Sequence, residues 1–350
     1  MSIESLTQQH IDSSSMARAL LKQIGLQEIL DYEGITEVAI NQGNEIWFDR
    51  GNGWEVKPAP ECNLSNLKAL ANALTVFSGL KLSFDDRNPI ASVILPDGER
   101  GQIITAPATE YGTISFTLRK PSLTRFTVDD YQNSGRFSNI QIAEAYQKGS
   151  IPLYMQEMKK CQKEGRYSDF FRLAASNNMN VIAVGGTGSG KTTFAKAYAD
   201  LIPHDHRMIT VEDVHEVSLP YHPNHLHLFF DSDYQKSGGI SPKELIKSGM
   251  RMKPDHILLT ELRGDETWNY FEALNTGHNG SITSTHANDV SSTLARLTGL
   301  VMQSDMGKVL SEAFISKTIA SALDVTCFFK HTYMTEILFE PEKKMELIYG

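Results

Sequence analysis

With 350 residues, 41% of them hydrophobic and 21% charged, the chain is large enough for two domains of ordinary size, each with a core of its own. A formal net charge of −9 removes the bulk field that draws proteins to nucleic acid, so direct nucleic-acid binding is not expected. No apolar run approaches the roughly 18 residues that cross a bilayer, and the start, "MSIESLTQQHIDSSS", lacks the basic and apolar regions of a secretory signal, so a cytoplasmic protein is expected. Cys62, Cys161 and Cys327 lie far apart with no C-x-x-C pair, which fits a reducing compartment and argues against a structural zinc site.

Met16 to Leu30 places Met16, Leu20, Leu21, Ile24 and Leu30 near helical spacing and reads as an amphipathic helix covering its own domain's sheet. Strand signals follow in "TEVAIN" and "NEIWFDRGNGWEVK", where Arg50-Gly51-Asn52-Gly53 supplies hairpin turn chemistry. "LSNLKALANALTVFSGL" interposes a helix, with Ser65 as the expected N-cap. "ASVILP", "RGQIITAP" and "GTISFTLRKP" then return to strand, with Asp97-Gly98 turning between the first two. Residues 1–121 therefore read as a smaller α+β domain, and 122–178 as a helical linker containing "TVDDYQ", "IPLYMQEMKKCQKEG" and "YSDFFRLAASN". The basic spot "MKKCQKEGR" reads as a solvated helix face.

After Met179 the pattern changes. Short apolar runs, "VIAV", "RMITV", "HILLT", "SITST" and "DVTCFF", alternate with helical stretches, as in a mainly parallel sheet covered on both faces. Residues 179–350 are expected to form an α/β domain with ligands at the carboxyl ends of its strands.

The first of those ends carries a G-x-x-x-x-G-K-[ST] motif, Gly185-Gly186-Thr187-Gly188-Ser189-Gly190-Lys191-Thr192, followed by Thr193. A loop that wraps a polyphosphate must turn its N–H groups inward, which takes positive φ angles and no Cβ in the way. Lys191 is placed to reach the β and γ phosphates and Thr192 to ligate Mg²⁺, while the helix from Thr193 adds its dipole.

Two further strand ends carry carboxylates: Glu212 and Asp213 after "RMITV", and Glu261 after "HILLT". Such groups hold Mg²⁺ through water or activate the attacking water, which phosphoryl transfer to water requires beyond a phosphate cradle. "TGHNGSITSTHANDV" adds His278 and His286, the latter placed to sense the γ-phosphate. His215, His222, His225 and His227 crowd "VHEVSLPYHPNHLHLFF", but their spacing matches no zinc pattern and reads as a strand or loop surface.

Together "GGTGSGKTT", "ITVEDVHE", "RMKPDHILLTELRGDET" and "TGHNGSITSTHA" resemble, in order, the P-loop, acidic box, Walker B and histidine box of the type II/IV secretion traffic ATPases. The resemblance reaches the first domain through "ILPDGERGQI" and "TISFTLRKPS", and the missing four-cysteine cluster favours the type IV secretion, or conjugation, branch. Gly264 stands where other members carry an aspartate. The resemblance implies a RecA-like C-terminal domain and a hexamer that hydrolyses ATP with Mg²⁺ bound between the two domains. It implies Arg100 and Arg119 reaching the γ-phosphate from the first domain, and partners among type IV secretion components at the inner membrane, with peripheral membrane association. Glu212 and Glu261 then manage magnesium and water, with the base undecided between them. A pilus-retraction or type II secretion motor would use the same site, and a non-hydrolysing nucleotide-dependent scaffold is the contrasting class. The absence of L-S-G-G-Q and N-K-x-D argues against a cassette transporter and a GTPase.

Overall fold

A computed structural model describes residues 14–121, 125–142, 147–234 and 238–349. Most of the N-terminal stretch weighed as a possible signal, residues 1–13, and the first residues of the expected linker, 122–124, lie outside the described residues.

The amphipathic segment expected over Met16 to Leu30 forms two helices, at 14–23 and Leu26–Leu30. Gly25, at φ 79°, adopts the left-handed conformation and breaks the run. Of the residues picked out by spacing, Leu21, Ile24 and Leu30 are buried against the domain's own sheet and Leu20 partly so, whereas Met16 is exposed; Leu26 and Ile29 join the same core. That sheet is antiparallel, in the order β3-β2-β1-β6-β5-β4, built from β1 (Glu37–Ile40), β2 (Glu45–Asp49), β3 (Trp54–Pro58), β4 (Ile90–Ile94), β5 (Arg100–Thr105) and β6 (Ile114–Arg119). The β2–β3 turn is closed by Asp49, whose Oδ1 accepts from the N–H of Gly51 at 2.5 Å and of Gly53 at 3.3 Å. The helix Leu64–Phe77 is capped by Asn63 rather than Ser65: Asn63 is extended and its side chain accepts from Asn66 N at 3.1 Å, which leaves Ser65 inside the first turn.

The second domain contains β7 (Val181–Gly185), β8 (Met208–Glu212), β9 (His225–Phe229), β10 (His256–Leu259), β11 (Ile282–Thr285), β12 (Val325–Lys330) and β13 (Tyr333–Leu338). Two pieces, β10-β8-β9 and β11-β7-β12-β13, are parallel except for the β12–β13 pair. They meet where Leu262 N donates to Ser284 O at 2.8 Å and Ser284 Oγ to Thr260 O at 2.7 Å. Side chains alternate across β7: Ile182 and Val184 join one core, Val181 and Ala183 the other, which explains why this strand reads as an unbroken apolar run.

The second of those cores also takes in Met155, Met158, Phe170 and Phe171. The helices Leu153–Glu164 and Tyr167–Ser176, expected within a linker, therefore pack as part of the C-terminal domain. Their apolar stripes, unreadable as to partner from sequence, share one core with Val181 and Ala183 of β7.

The two domains touch through a specific polar contact. Arg207, just before β8 and fully buried, donates to Asn41 Oδ1 at 2.8 Å, Thr117 Oγ1 at 3.2 Å and Met252 O at 3.1 Å, and lies over the Trp54 ring. Asp49 pairs with Lys253, while Ile104 and Ala108 extend the first domain's apolar surface into the second domain's core. Among the described residues, no helix is long and apolar enough to cross a membrane.

Candidate active site

The loop between β7 and the helix Lys191–Ala199 has the backbone that its glycines predict. Gly188 and Gly190 have φ of 69° and 93°, and a Cβ on Gly185 would fall 2.3 Å from Phe329 O, so no other residue fits there. At Gly186 and Gly188 a Cβ would meet nothing within 4 Å, which leaves open space against the loop. Ser189 Oγ is buried without a hydrogen-bond partner among the described residues. Lys191 folds back over the loop, donating to Gly185 O at 3.0 Å and Gly186 O at 2.8 Å, and its burial lowers its pKa. Thr192 is half-buried and Thr193 exposed at the start of the helix.

The ends of three neighbouring strands converge on this loop. His286, after β11, has Nδ1 3.0 Å from Gly185 O and Nε2 3.1 Å from Glu261 Oε1. Glu261 Oε2 accepts from Arg263 at 2.9 Å, and Arg263 reaches Asp213 Oδ2 at 2.8 Å. The result is a chain of polar contacts, Asp213–Arg263–Glu261–His286, ending on the Gly185 carbonyl that also accepts from Lys191. Arg263 was not singled out from sequence. Its position two residues beyond Glu261 was visible, but nothing in "ELRG" says that it turns back to join two carboxylates. Its pKa is raised, chiefly by the hydrogen bond to Glu261.

Glu212 is placed differently from its expected role. It is fully buried, with Oε1 accepting from Thr210 Oγ1 at 2.5 Å and lying 3.0 Å from His227 Nδ1, and with Oε2 accepting from Glu216 N and Val217 N at 2.8 and 2.9 Å. Burial alone would raise its pKa, but these hydrogen bonds together bring it below the ordinary value. It is the neighbouring Asp213, not Glu212, that pairs with Arg263. His278 is tied to Pro254 O at 3.2 Å and stands apart from that chain of contacts.

Arg100 and Arg119 are cross-strand neighbours at one end of the N-terminal sheet. Arg119 is 77% exposed and lies 3.6 Å from Glu37, and Glu37, Asp49 and Arg119 share one row of the sheet. Asp49 pairs with Lys253 in the segment leading into β10, so this row sits beside the amino ends of the parallel strands. The P-loop opens at their carboxyl ends. Among the described residues, neither arginine contacts it.

Residues 144–338 match the family model described as "Type II/IV secretion system protein". The type IV secretion system protein VirB11 of Brucella abortus is 36% identical over 348 residues, covering 96% of this chain and 94% of that one. The chain belongs to the type II/IV secretion family. Further relatives are proteins of type IV secretion systems: VirB11 of Bartonella henselae is 32% identical, with 97% and 98% of the two chains covered, and PtlH of Bordetella pertussis 32% identical, with 85% of each covered. The crystal structure of the VirB11 ATPase from the Brucella suis type IV secretion system, in complex with sulphate, superimposes with a TM-score of 0.88 at 36% identity, covering 97% of this chain and 99% of that one. The α/β architecture, with an N-terminal domain preceding a RecA-like one, is thus that of the family. Of the segments singled out from sequence, the glycine loop is met directly by His286, which joins it to Glu261, while Asp213 is joined to Glu261 through Arg263.

Proposed function

We propose that this chain is the ATP-hydrolysing hexameric motor of a type IV secretion or conjugation machine, working at the inner membrane through its partner subunits. The observation that carries the reading is that Lys191 and His286 both meet the carbonyl of Gly185, with Glu261, Arg263 and Asp213 joined in turn behind His286. The open, left-handed loop fits a triphosphate, and a half-buried hydroxyl at Thr192 fits Mg²⁺, which when bound neutralises phosphate charge. Gly185 through Thr193 hold the phosphates, with Lys191 exchanging loop carbonyls for phosphate oxygens. Glu261 orients and deprotonates the attacking water, held in place by Arg263 and His286. His286 couples that carboxylate to the loop and so responds to nucleotide state. Glu212 acts as a positioning residue for the turn that carries Asp213.

Arg100 and Arg119 act on the nucleotide of a neighbouring subunit, because their row lies at the opposite end of the strands from this chain's own loop. Loss of the γ-phosphate then releases a contact between subunits, which is how nucleotide turnover shifts domain positions.

The test is steady-state ATPase turnover with the mass of the assembly in solution. Lys191→Ala and Glu261→Gln are each expected to lose at least about a hundredfold in turnover while still assembling as hexamers. Co-assembled Lys191→Ala and Arg119→Ala chains, each inactive alone, are expected to recover part of the activity, since some interfaces then pair an intact loop with an intact arginine. Wild-type turnover in Lys191→Ala would refute the site, and nucleotide binding by the wild type without turnover would favour the scaffold.

A further inference from the structure

The histidines scattered through "VHEVSLPYHPNHLHLFF" are gathered by the pairing of β8 with β9, whose register sets Thr210 opposite His227. His227 Nδ1 lies 3.0 Å from Glu212 Oε1 and 2.8 Å from Thr210 Oγ1, all three residues being buried. The turn after β8 brings the exposed His215 back, with its ring centroid 4.5 Å from that of His227. One donor atom from each of Glu212, His215 and His227 lies within 4.8 Å of the others. From the N-terminal domain, Glu110 places Oε1 3.6 Å from His215 Nδ1, and the adjacent Thr109 donates to His227 O at 2.7 Å.

We propose that Glu212, His215 and His227, completed by Glu110, form a binding site for a zinc-like divalent transition-metal ion that ties the N-terminal domain to the nucleotide-binding domain. Two imidazoles and two carboxylates are a donor set suited to zinc. A tetrahedral ion about 2.1 Å from its donors holds them about 3.4 Å apart. The buried pair at 3.0 Å already has nearly that spacing, His215 needs to close by at most about 1.4 Å, and Glu110, 3.6 Å from His215, lies on an exposed connection that can move in to complete the set. The ion replaces the direct Nδ1···Oε1 contact between His227 and Glu212, with the His227 ring proton carried on Nε2. Thr210 Oγ1, 2.5 Å from Glu212 Oε1, orients the carboxylate from outside the ligand set. An interdomain cleft of about 1520 Å³, lined in part by Glu110, Asp213 and His215, gives the ion its entry path. Because Asp213 lies between Glu212 and His215, occupancy fixes the strand end that anchors Arg263.

Calorimetric titration of the full chain with zinc sulfate tests this, together with the visible absorption of the Co²⁺-loaded protein. The wild type is expected to bind one zinc per chain with a tetrahedral Co²⁺ band. His215→Ala and Glu110→Gln, both at exposed positions that leave folding intact, are expected to weaken binding by about tenfold or more, with loss of the band in His215→Ala. His204→Ala, at a histidine stacked on Tyr221 instead, is expected to leave binding unchanged. Failure of the wild type to bind zinc, retention of wild-type affinity by His215→Ala or Glu110→Gln, or loss of binding in His204→Ala would each overturn the proposal.

Discussion

The two ends of the parallel sheet use one residue type in opposite ways. At the carboxyl end Arg263 stands between two carboxylates, Glu261 and Asp213, with its side chain 55% exposed. At the amino end Arg207 is wholly buried and its guanidinium donates only to neutral groups, the amides of Asn41 and Asn224, the Thr117 hydroxyl and a backbone carbonyl, against the Trp54 ring, with Asp255 and Glu37 acting on it at longer range. Burial lowers the Arg207 pKa to about 10, which still leaves it charged at neutral pH. A desolvated guanidinium is held by every donor finding an acceptor, so it tolerates one geometry only. A half-exposed one in a chain of charges can change partners as a phosphate leaves, because water is there to compensate. The difference explains how one domain can be both a rigid platform and a responsive site.

The largest effect should come from removing the buried group. Arg207→Ala leaves a cavity and several unpaired amides, and is expected to cost about 3 kcal/mol, read as a fall in unfolding midpoint in denaturant with nucleotide affinity unchanged. If stability were untouched, the contrast between the two ends would fail. Arg263→Ala should do the reverse: little change in midpoint but turnover lower by about tenfold, or about 1.4 kcal/mol, because Glu261 loses its orienting partner.

A smaller effect sharpens the picture beside Arg207. Burial raises Glu37 to about 7, so between the ordinary carboxylate value and 7 the folded state keeps a proton that the unfolded chain has released. Its contribution is therefore fully present at low pH and lost as pH rises through 7. Glu37→Gln is expected to flatten the melting temperature against pH between about 5 and 8, with the variant gaining about one or two degrees on the wild type at the upper end. An unchanged slope would place the titration elsewhere.

Much of the fold was legible because its signals are local. The apolar runs ahead of Gly185, Glu212, Glu261 and His286 became β7, β8, β10 and β11, and the first-domain strands lie where alternation and turn residues set them. Less visible were β9 and β13: histidines break the apolar look of "HLHLF", and an edge strand with an exposed face carries little hydrophobic pattern. The helices of 153–176 were read correctly as helices but assigned to a linker, since amphipathicity reveals that a face is buried and not what buries it.

By itself, then, the chain's order of residues determined the conformation of the Gly185–Thr192 loop, because that conformation depends on glycines adjacent in sequence and on a lysine fixed by the helix that follows. Only the tertiary structure decided that Asp213 rather than Glu212 meets Arg263, that Glu212 turns inward to His227, and that Arg119 lies at the far end of the strands. Backbone torsions are set by neighbours along the chain. Side-chain partners across parallel strands are set by register and sheet order, which connect residues tens of positions apart and leave no trace in spacing.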